Sequence, residues 1–168
     1  MPLIVPFDGS ELAEAALVRA TQFNTVLNEE IAVVTVIPTD NTQYARKRGW
    51  IDEHESFDGE TIVTRLQHRV EKISPDAHFE YDTVGRYAQA GAISSKIRRF
   101  AREHDASIVF IGSENAGRVV QNVSSVGGAI AADRGYETMI IPYPQPAKIE
   151  ELEQTLPTEE ILDRSSAK

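Results

Sequence analysis

The chain opens with Pro2-Leu-Ile-Val-Pro-Phe-Asp-Gly-Ser-Glu11, in which a short apolar strand runs directly into an acidic turn and an amphipathic helix. In an open α/β sheet, ligands bind where the C-terminal end of a strand meets the next helix N-terminus. The carboxylate of Asp8 is unsuited to a phosphate, but it can accept hydrogen bonds from ribose hydroxyls. The alternative reading of these residues is that Asp8 and Ser10 only cap the helix.

Apolar runs and helical periodicity alternate along the rest of the sequence. The runs predict strands near residues 3–7, 31–37, 77–84, 107–111 and 138–142. Apolar residues at helical spacing predict helices near residues 10–27, 59–73, 90–103 and 125–132. Stacked βαβ units with right-handed crossovers predict an α/β fold, a doubly wound five-stranded parallel sheet in the order 3-2-1-4-5. Asp8 and the segment after Gly112 then face each other across the switch point.

The polar segment between the second strand and the second predicted helix has no clear periodicity. It carries a basic cluster, Arg46 to Arg48, and the only tryptophan, Trp50. We expect a long loop or short helices here, with the cluster as solvated surface charge.

Composition narrows the classes of function. The net charge of −9 and pI near 4.9 argue against non-specific binding to nucleic acid or an anionic membrane, and are compatible with a salt-rich cytoplasm. The chain has no cysteine, its four histidines are far apart, and no metal site is predicted. Neither a signal peptide nor a membrane-spanning run is recognised, so we expect a cytoplasmic protein.

Two regions differ in composition. Residues 1–144 have the pattern of a single α/β domain, long enough to bury a core. Residues 145–168 contain two prolines and closely spaced acids, and are predicted to be an acidic C-terminal tail that buries little.

The segment after the fourth strand is a candidate phosphate loop. Gly112 would let backbone approach a ligand closely, and Ser124 and Ser125 sit where hydroxyls and free N–H groups can hold a phosphate. A plain turn followed by a capped helix explains the same residues. The sequence contains neither the Walker pattern nor the Rossmann glycine fingerprint.

The ordered set of strand segments resembles the universal stress protein family. The resemblance is carried by Ile4-Val-Pro-Phe-Asp-Gly-Ser-Glu11, Val33-Val-Thr-Val-Ile37, Ala106-Ser-Ile-Val-Phe-Ile-Gly-Ser113 and Glu137-Thr-Met-Ile-Ile-Pro142. It covers about residues 2 to 143. It implies a Rossmann-like fold of the adenine-nucleotide alpha hydrolase type and a cytoplasmic stress-response role.

Members of that family that bind ATP carry Gly-x2-Gly-x9-Gly followed by Ser or Thr. Here Gly112 matches the first position and Asn115 stands at the second, with Gly117 two residues later. The third position falls on Ser125, or on Ser124 if the register slides by one. Two motif glycines are therefore replaced, which puts ATP binding in doubt, while the serines keep phosphate-ligating capacity.

The resemblance implies a set of ligand-binding positions. Asp8 would contact ribose beside Pro6 and Phe7, and the backbone of Val36 would meet adenine. The phosphates would lie among five residues, namely Gly112, Asn115, Gly117, Ser124 and Ser125. No catalytic residue is implied.

The expected function is a dimeric regulatory or binding module with weak binding of ATP or AMP, and Mg²⁺ only together with nucleotide. Members of the family commonly dimerise through the last strand, so the resemblance implies a homodimer whose interface lies near Met139–Ile141. One alternative is a slow nucleotide-hydrolysing enzyme. Another is a protein-interaction module with an empty crevice, and a flavodoxin-like FMN carrier ranks below both.

Overall fold

The computed structural model describes residues 1–113 and 126–144. The strands are β1 (Leu3–Pro6), β2 (Ile31–Pro38), β3 (His78–Val84), β4 (Ile108–Gly112) and β5 (Glu137–Ile141). The helices are α1 (Glu11–Leu27), α2 (Thr42–Lys47), α3 (Gly59–Ile73), α4 (Ala90–Glu103) and α5 (Val126–Ala131). The predicted strands and the four predicted helices are confirmed, with ends shifted by at most about one residue.

All five strands belong to one parallel sheet with the order β3-β2-β1-β4-β5. Leu3 of β1 pairs with Ile31 of β2 on one side and with Ile108 of β4 on the other. The predicted topology is therefore confirmed. The chain reverses its direction of winding between β1 and β4, which opens a crevice at their C-terminal ends.

The sheet is buried on both faces, as the continuous apolar run of β2 predicts. Every residue of β2 is buried. On one face Leu3, Val5 and Val33 form a core with residues of α1 and α3. On the other face Ile4 and Val34 form a second core with residues of α4 and α5. This arrangement fixes which helices border the crevice.

The turn between β1 and α1 is set by its glycine and serine. Gly9 has a φ of +75°, a conformation that side chains rarely adopt. The hydroxyl of Ser10 accepts a hydrogen bond of 3.2 Å from the backbone N–H of Ala13 and so caps α1. The capping interpretation is confirmed for Ser10.

The segment after β2 contains one short helix, α2, and then folds back onto the core. Trp50 and Ile51 are buried beside α1 and α3 residues. The expectation of short helical structure in this segment is confirmed. Its packing places α2 directly above the end of β1.

Two further predictions concern the chain beyond this core. The predicted acidic tail, residues 145–168, lies outside the described residues. Among the residues that the structure describes, no helix has the length and apolar character needed to cross a membrane.

Candidate functional site

A cavity of about 530 Å³ opens at the C-terminal ends of β1 and β4. Five of the predicted site residues line it, namely Pro6, Phe7, Asp8, Val36 and Gly112. The other four, Asn115, Gly117, Ser124 and Ser125, lie in the stretch 114–125, outside the described residues. Residues distant in sequence thus meet at the predicted switch point, and the volume is in the range typical of small-molecule sites.

Asp8 is held at the mouth of the cavity by three hydrogen bonds. Its Oδ1 accepts from the backbone N–H of Ser10 at 2.9 Å, and its Oδ2 accepts from Nη1 of Arg48. Its backbone carbonyl accepts from Nε1 of Trp50 at 2.7 Å. The carboxylate side chain is 33% exposed, so it remains within reach of a ligand.

Arg48 lies at the end of α2, between Asp8 and the ring of Tyr44. Its guanidinium carbon is 5.0 Å from the centroid of that ring, a cation–π geometry. Burial raises the pKa of the Tyr44 phenol, although the positive charge of Arg48 acts in the opposite direction. The phenol is therefore neutral at physiological pH, and the charge in this corner is the Asp8–Arg48 pair.

The floor of the cavity is apolar. It is formed by side chains from β2, α4, β4 and α5, namely Val34, Val36, Ile93, Ile97, Ile111 and Ile130. Most of them belong to the core between the sheet and helices α4 and α5. Such a surface suits the flat, weakly polar body of an aromatic ring.

The backbone of Val36 faces the crevice. The carbonyl of Val34 accepts a hydrogen bond of 2.9 Å from the N–H of Phe7, so the peptide groups of Val34 point toward β1. Along a strand, alternate residues direct their peptide groups to the same side, so the peptide groups of Val36 point that way too. Because β1 ends at Pro6, these groups lie at the crevice between the separating strands.

The β4 side of the cavity is shaped by close packing. A Cβ atom on Gly112 would lie 2.1 Å from the backbone oxygen of Leu12 in α1. A Cβ on Gly127 would lie 3.0 Å from the side chain of Ser113. The sequence indicated that Gly112 admits a ligand, but the structure gives it a second role, since only glycine lets α1 approach β4 this closely.

The structure reveals site residues that sequence reasoning missed. The basic cluster was interpreted as solvated surface charge. Arg48 is indeed exposed, but it also binds Asp8 and lines the cavity, a role that the prediction lacked. Tyr44 and Trp50 were not predicted either. Thr35, buried in β2, donates from its hydroxyl to the carbonyl of Phe7 at 2.6 Å and fixes the chain just before Asp8. The lone tryptophan in a polar segment was the one available signal.

Metal binding by the protein alone has no support in the described part of the chain. No group of three or more metal-ligating side chains occurs among residues 1–113 and 126–144. Asp8 and Arg48 are the charged residues among the described residues that line the cavity.

The fold and the site can now be compared with known proteins. The model of the universal stress protein family matches residues 1–131. The chain belongs to the universal stress protein family. No curated protein is significantly similar to this universal stress protein in sequence.

Solved universal stress proteins share its fold at low sequence identity. A universal stress protein in complex with cAMP is 16% identical with a TM-score of 0.55, covering 84% of this chain and 96% of its own. One from Archaeoglobus fulgidus in complex with dAMP is 20% identical with a TM-score of 0.51, covering 84% and 97%. UspA from Lactobacillus plantarum is 14% identical with a TM-score of 0.52, again covering 84% and 97%.

Proposed function

We propose that this universal stress protein is a binding module that holds an adenine nucleotide in the crevice between β1 and β4. The observation that carries the proposal is the pairing of an accessible carboxylate, Asp8, with an apolar cavity bordered by the backbone of Val36. A carboxylate accepts hydrogen bonds from ribose hydroxyls, and strand peptide groups can pair with the polar edge of a base. The apolar floor would cover the faces of the base.

The phosphate end of the ligand is assigned to the β4 side. Gly112 borders the cavity there, and the sequence predicts that Asn115, Gly117, Ser124 and Ser125 surround the phosphates. The solved relatives in complex with cAMP and dAMP support adenine nucleotides as the ligand class. Both of those ligands carry a single phosphate group, which supports AMP ahead of ATP.

Calorimetric titration with AMP and with ATP, each with and without Mg²⁺, tests the proposal. We expect Asp8→Ala to weaken AMP binding about tenfold, the effect of losing hydrogen bonds to a charged group. Asp76→Ala is the matched control, since it removes an equal charge from an exposed residue that does not line the cavity. Equal affinities in the parent and both variants would assign the ligand to another place.

The same titrations separate the alternatives. ATP turnover that disappears in Asp8→Ala would support a slow nucleotide hydrolase. No heat and no thermal shift with either nucleotide at millimolar concentration would overturn the proposal, and would support an interaction protein whose crevice is empty.

We further propose that the protein is a homodimer that pairs through β5. The two edges of the sheet differ. In β3 charged residues such as Glu80 and Asp82 recur at every second position, whereas β5 presents the apolar run Met139–Ile141. An apolar edge strand needs a cover. Sedimentation should give a dimer that Ile140→Lys dissociates, whereas Tyr81→Lys on the opposite edge leaves it intact. A monomeric parent protein would contradict this proposal.

A further inference from the structure

The carboxylate assigned to the ligand is already occupied in the unliganded protein. Arg48 donates to Oδ2 of Asp8, and the backbone N–H of Ser10 donates to Oδ1 at 2.9 Å. A ribose diol approaching Asp8 therefore competes with Arg48 for the same oxygen. Any ligand that binds there has to exchange one partner for another.

The side chain of Arg48 is partly exposed, whereas the backbone beside it is anchored. Its side chain is 39% exposed, and it follows the last residue of α2. The segment itself is anchored, since the N–H of Trp50 donates to the carbonyl of Ala45 at 2.9 Å and both residues are buried. The Trp50 ring bonds to the backbone of Asp8, which fixes this segment against the end of β1.

The negative charge around the site suggests a second role for Arg48, which is to attract the phosphate of a ligand. Among the described residues that line the cavity, Asp8 and Arg48 are the charged ones, and the whole chain carries a net charge of −9. A phosphorylated ligand would be repelled by the protein and by Asp8 unless a nearby cation offsets those charges. Arg48 is placed to do so, because a guanidinium recognises phosphate as readily as carboxylate.

We propose that Arg48 is a specificity-determining residue that acts as an exchangeable latch on Asp8, and that the phosphate of the ligand releases it. When a phosphorylated nucleoside enters with its phosphate toward the β4 side, the guanidinium of Arg48 turns from Asp8 to that phosphate, and the freed Asp8 accepts hydrogen bonds from the ribose. A nucleoside without phosphate offers Arg48 no anion and has to compete with it. This inference rests on the proposed function and adds to it a preference for AMP over adenosine.

The energetics of ion pairs favour such an exchange. An exposed pair such as Asp8–Arg48 contributes little to stability because both groups stay partly hydrated. Breaking this ion pair therefore costs little free energy when a second anion takes the place of Asp8. The ring of Tyr44, 5.0 Å from the guanidinium carbon, offers the side chain a further contact that does not depend on Asp8.

Titration of the intact chain with AMP and adenosine, followed by the fluorescence of Trp50, tests the latch. Trp50 is the only tryptophan and its ring contacts Asp8, so its emission reports on this corner. We expect the parent protein to bind AMP more tightly than adenosine. In Arg48→Gln, AMP affinity should fall about tenfold, the effect of losing charge-assisted hydrogen bonds, while adenosine affinity rises because Arg48 no longer competes for Asp8.

Lys47→Gln is the matched control, because it removes an equal charge from the adjacent exposed residue, which does not line the cavity. Arg48→Lys is a second variant that keeps the charge without the planar fork, and it should retain part of the preference for AMP. Circular dichroism verifies that each variant is folded.

The outcomes separate the latch from the proposed function. Loss of the AMP preference in Arg48→Gln alone supports the latch. An unchanged ratio of AMP to adenosine affinity in Arg48→Gln overturns the latch and leaves nucleotide binding standing. An absence of binding by AMP and adenosine in the parent protein and in all variants overturns both.

Discussion

Two aspartates are each bound by arginine, but in different surroundings. The side chain of Asp8 is 33% exposed and meets Arg48 at the cavity mouth. The side chain of Asp133, just after α5, is 1% exposed and meets Arg98 and Arg102 of α4, away from the residues that line the cavity. The comparison teaches that the same kind of ion pair can be open to a ligand in one place and enclosed by protein in another.

Both carboxylate oxygens of the enclosed Asp133 accept hydrogen bonds. Nε of Arg98 donates to its Oδ2 at 3.0 Å, and the backbone N–H of Gly135 donates to its Oδ1 at 2.8 Å. Burial alone would raise the pKa of the Asp133 carboxyl, but these hydrogen bonds and the charge of Arg102 outweigh burial and lower it. The carboxylate therefore ties the chain just after α5 to α4.

The largest loss of stability is expected from Gly112→Ala, where β4 packs against α1. A Cβ atom there would lie 2.1 Å from the backbone oxygen of Leu12, so α1 and β4 would have to separate. Forcing an extra carbon into a packed interior costs about 3 kcal/mol or more of the free energy of unfolding. Urea denaturation measures it. Gly91→Ala in α4 is the control, since nothing lies within 4 Å of that Cβ, and it should be neutral or stabilising by about 0.5 kcal/mol.

Removal of the buried charge should have the next largest effect. Asp133→Asn leaves two arginines without their carboxylate and should cost about 2 kcal/mol of the free energy of unfolding. Asp8→Asn removes the exposed counterpart and should cost at most about 1 kcal/mol. Chemical denaturation of both variants, side by side with the parent, checks the order. Equal losses would mean that exposure does not distinguish the two aspartates.

The sequence predicts which strands border the crevice far better than it predicts the side-chain contacts within it. The continuous apolar run of β2 and the alternation of strands and helices are enough for the order 3-2-1-4-5, because few right-handed topologies bury such strands. Asp8 and Gly112 were placed at the crevice for the same reason, whereas Pro6 was placed there by the resemblance to the family. Local sequence patterns predict the strands and helices, and the connections between them then determine which strand ends are neighbours.

The contacts of Arg48 and Trp50 could not be predicted in this way. Both reach back to Asp8 across about forty residues of sequence. Their positions depend on how an irregular segment folds over the sheet, and no periodicity encodes that path. The role of Gly112 against Leu12 is likewise a tertiary contact between elements. Side-chain contacts between residues distant in sequence can be identified only from the structure.

Acid should weaken the buried pairing. The folded-state pKa of Asp133 is lowered, so the unfolded chain takes up a proton there first as the pH falls. Its contribution is complete above the ordinary carboxyl pKa of about 4 and is lost as the pH falls through the lowered value. The stability difference between the parent and Asp133→Asn should therefore shrink as the pH is lowered from neutral to below about 4. A constant difference would assign the cost of Asp133→Asn to packing.

The smallest effect on stability is expected where the proposed effect on selectivity is largest. Arg48→Gln breaks an exposed pair, and we expect it to change the free energy of unfolding by about 0.5 kcal/mol or less, like the control Lys47→Gln. Denaturation in urea without nucleotide measures both. A latch has to open easily, so weak coupling between Arg48 and Asp8 is a requirement of its role. A loss of about 2 kcal/mol in Arg48→Gln would make this pair structural, like that of Asp133, and the contrast between the two aspartates would disappear.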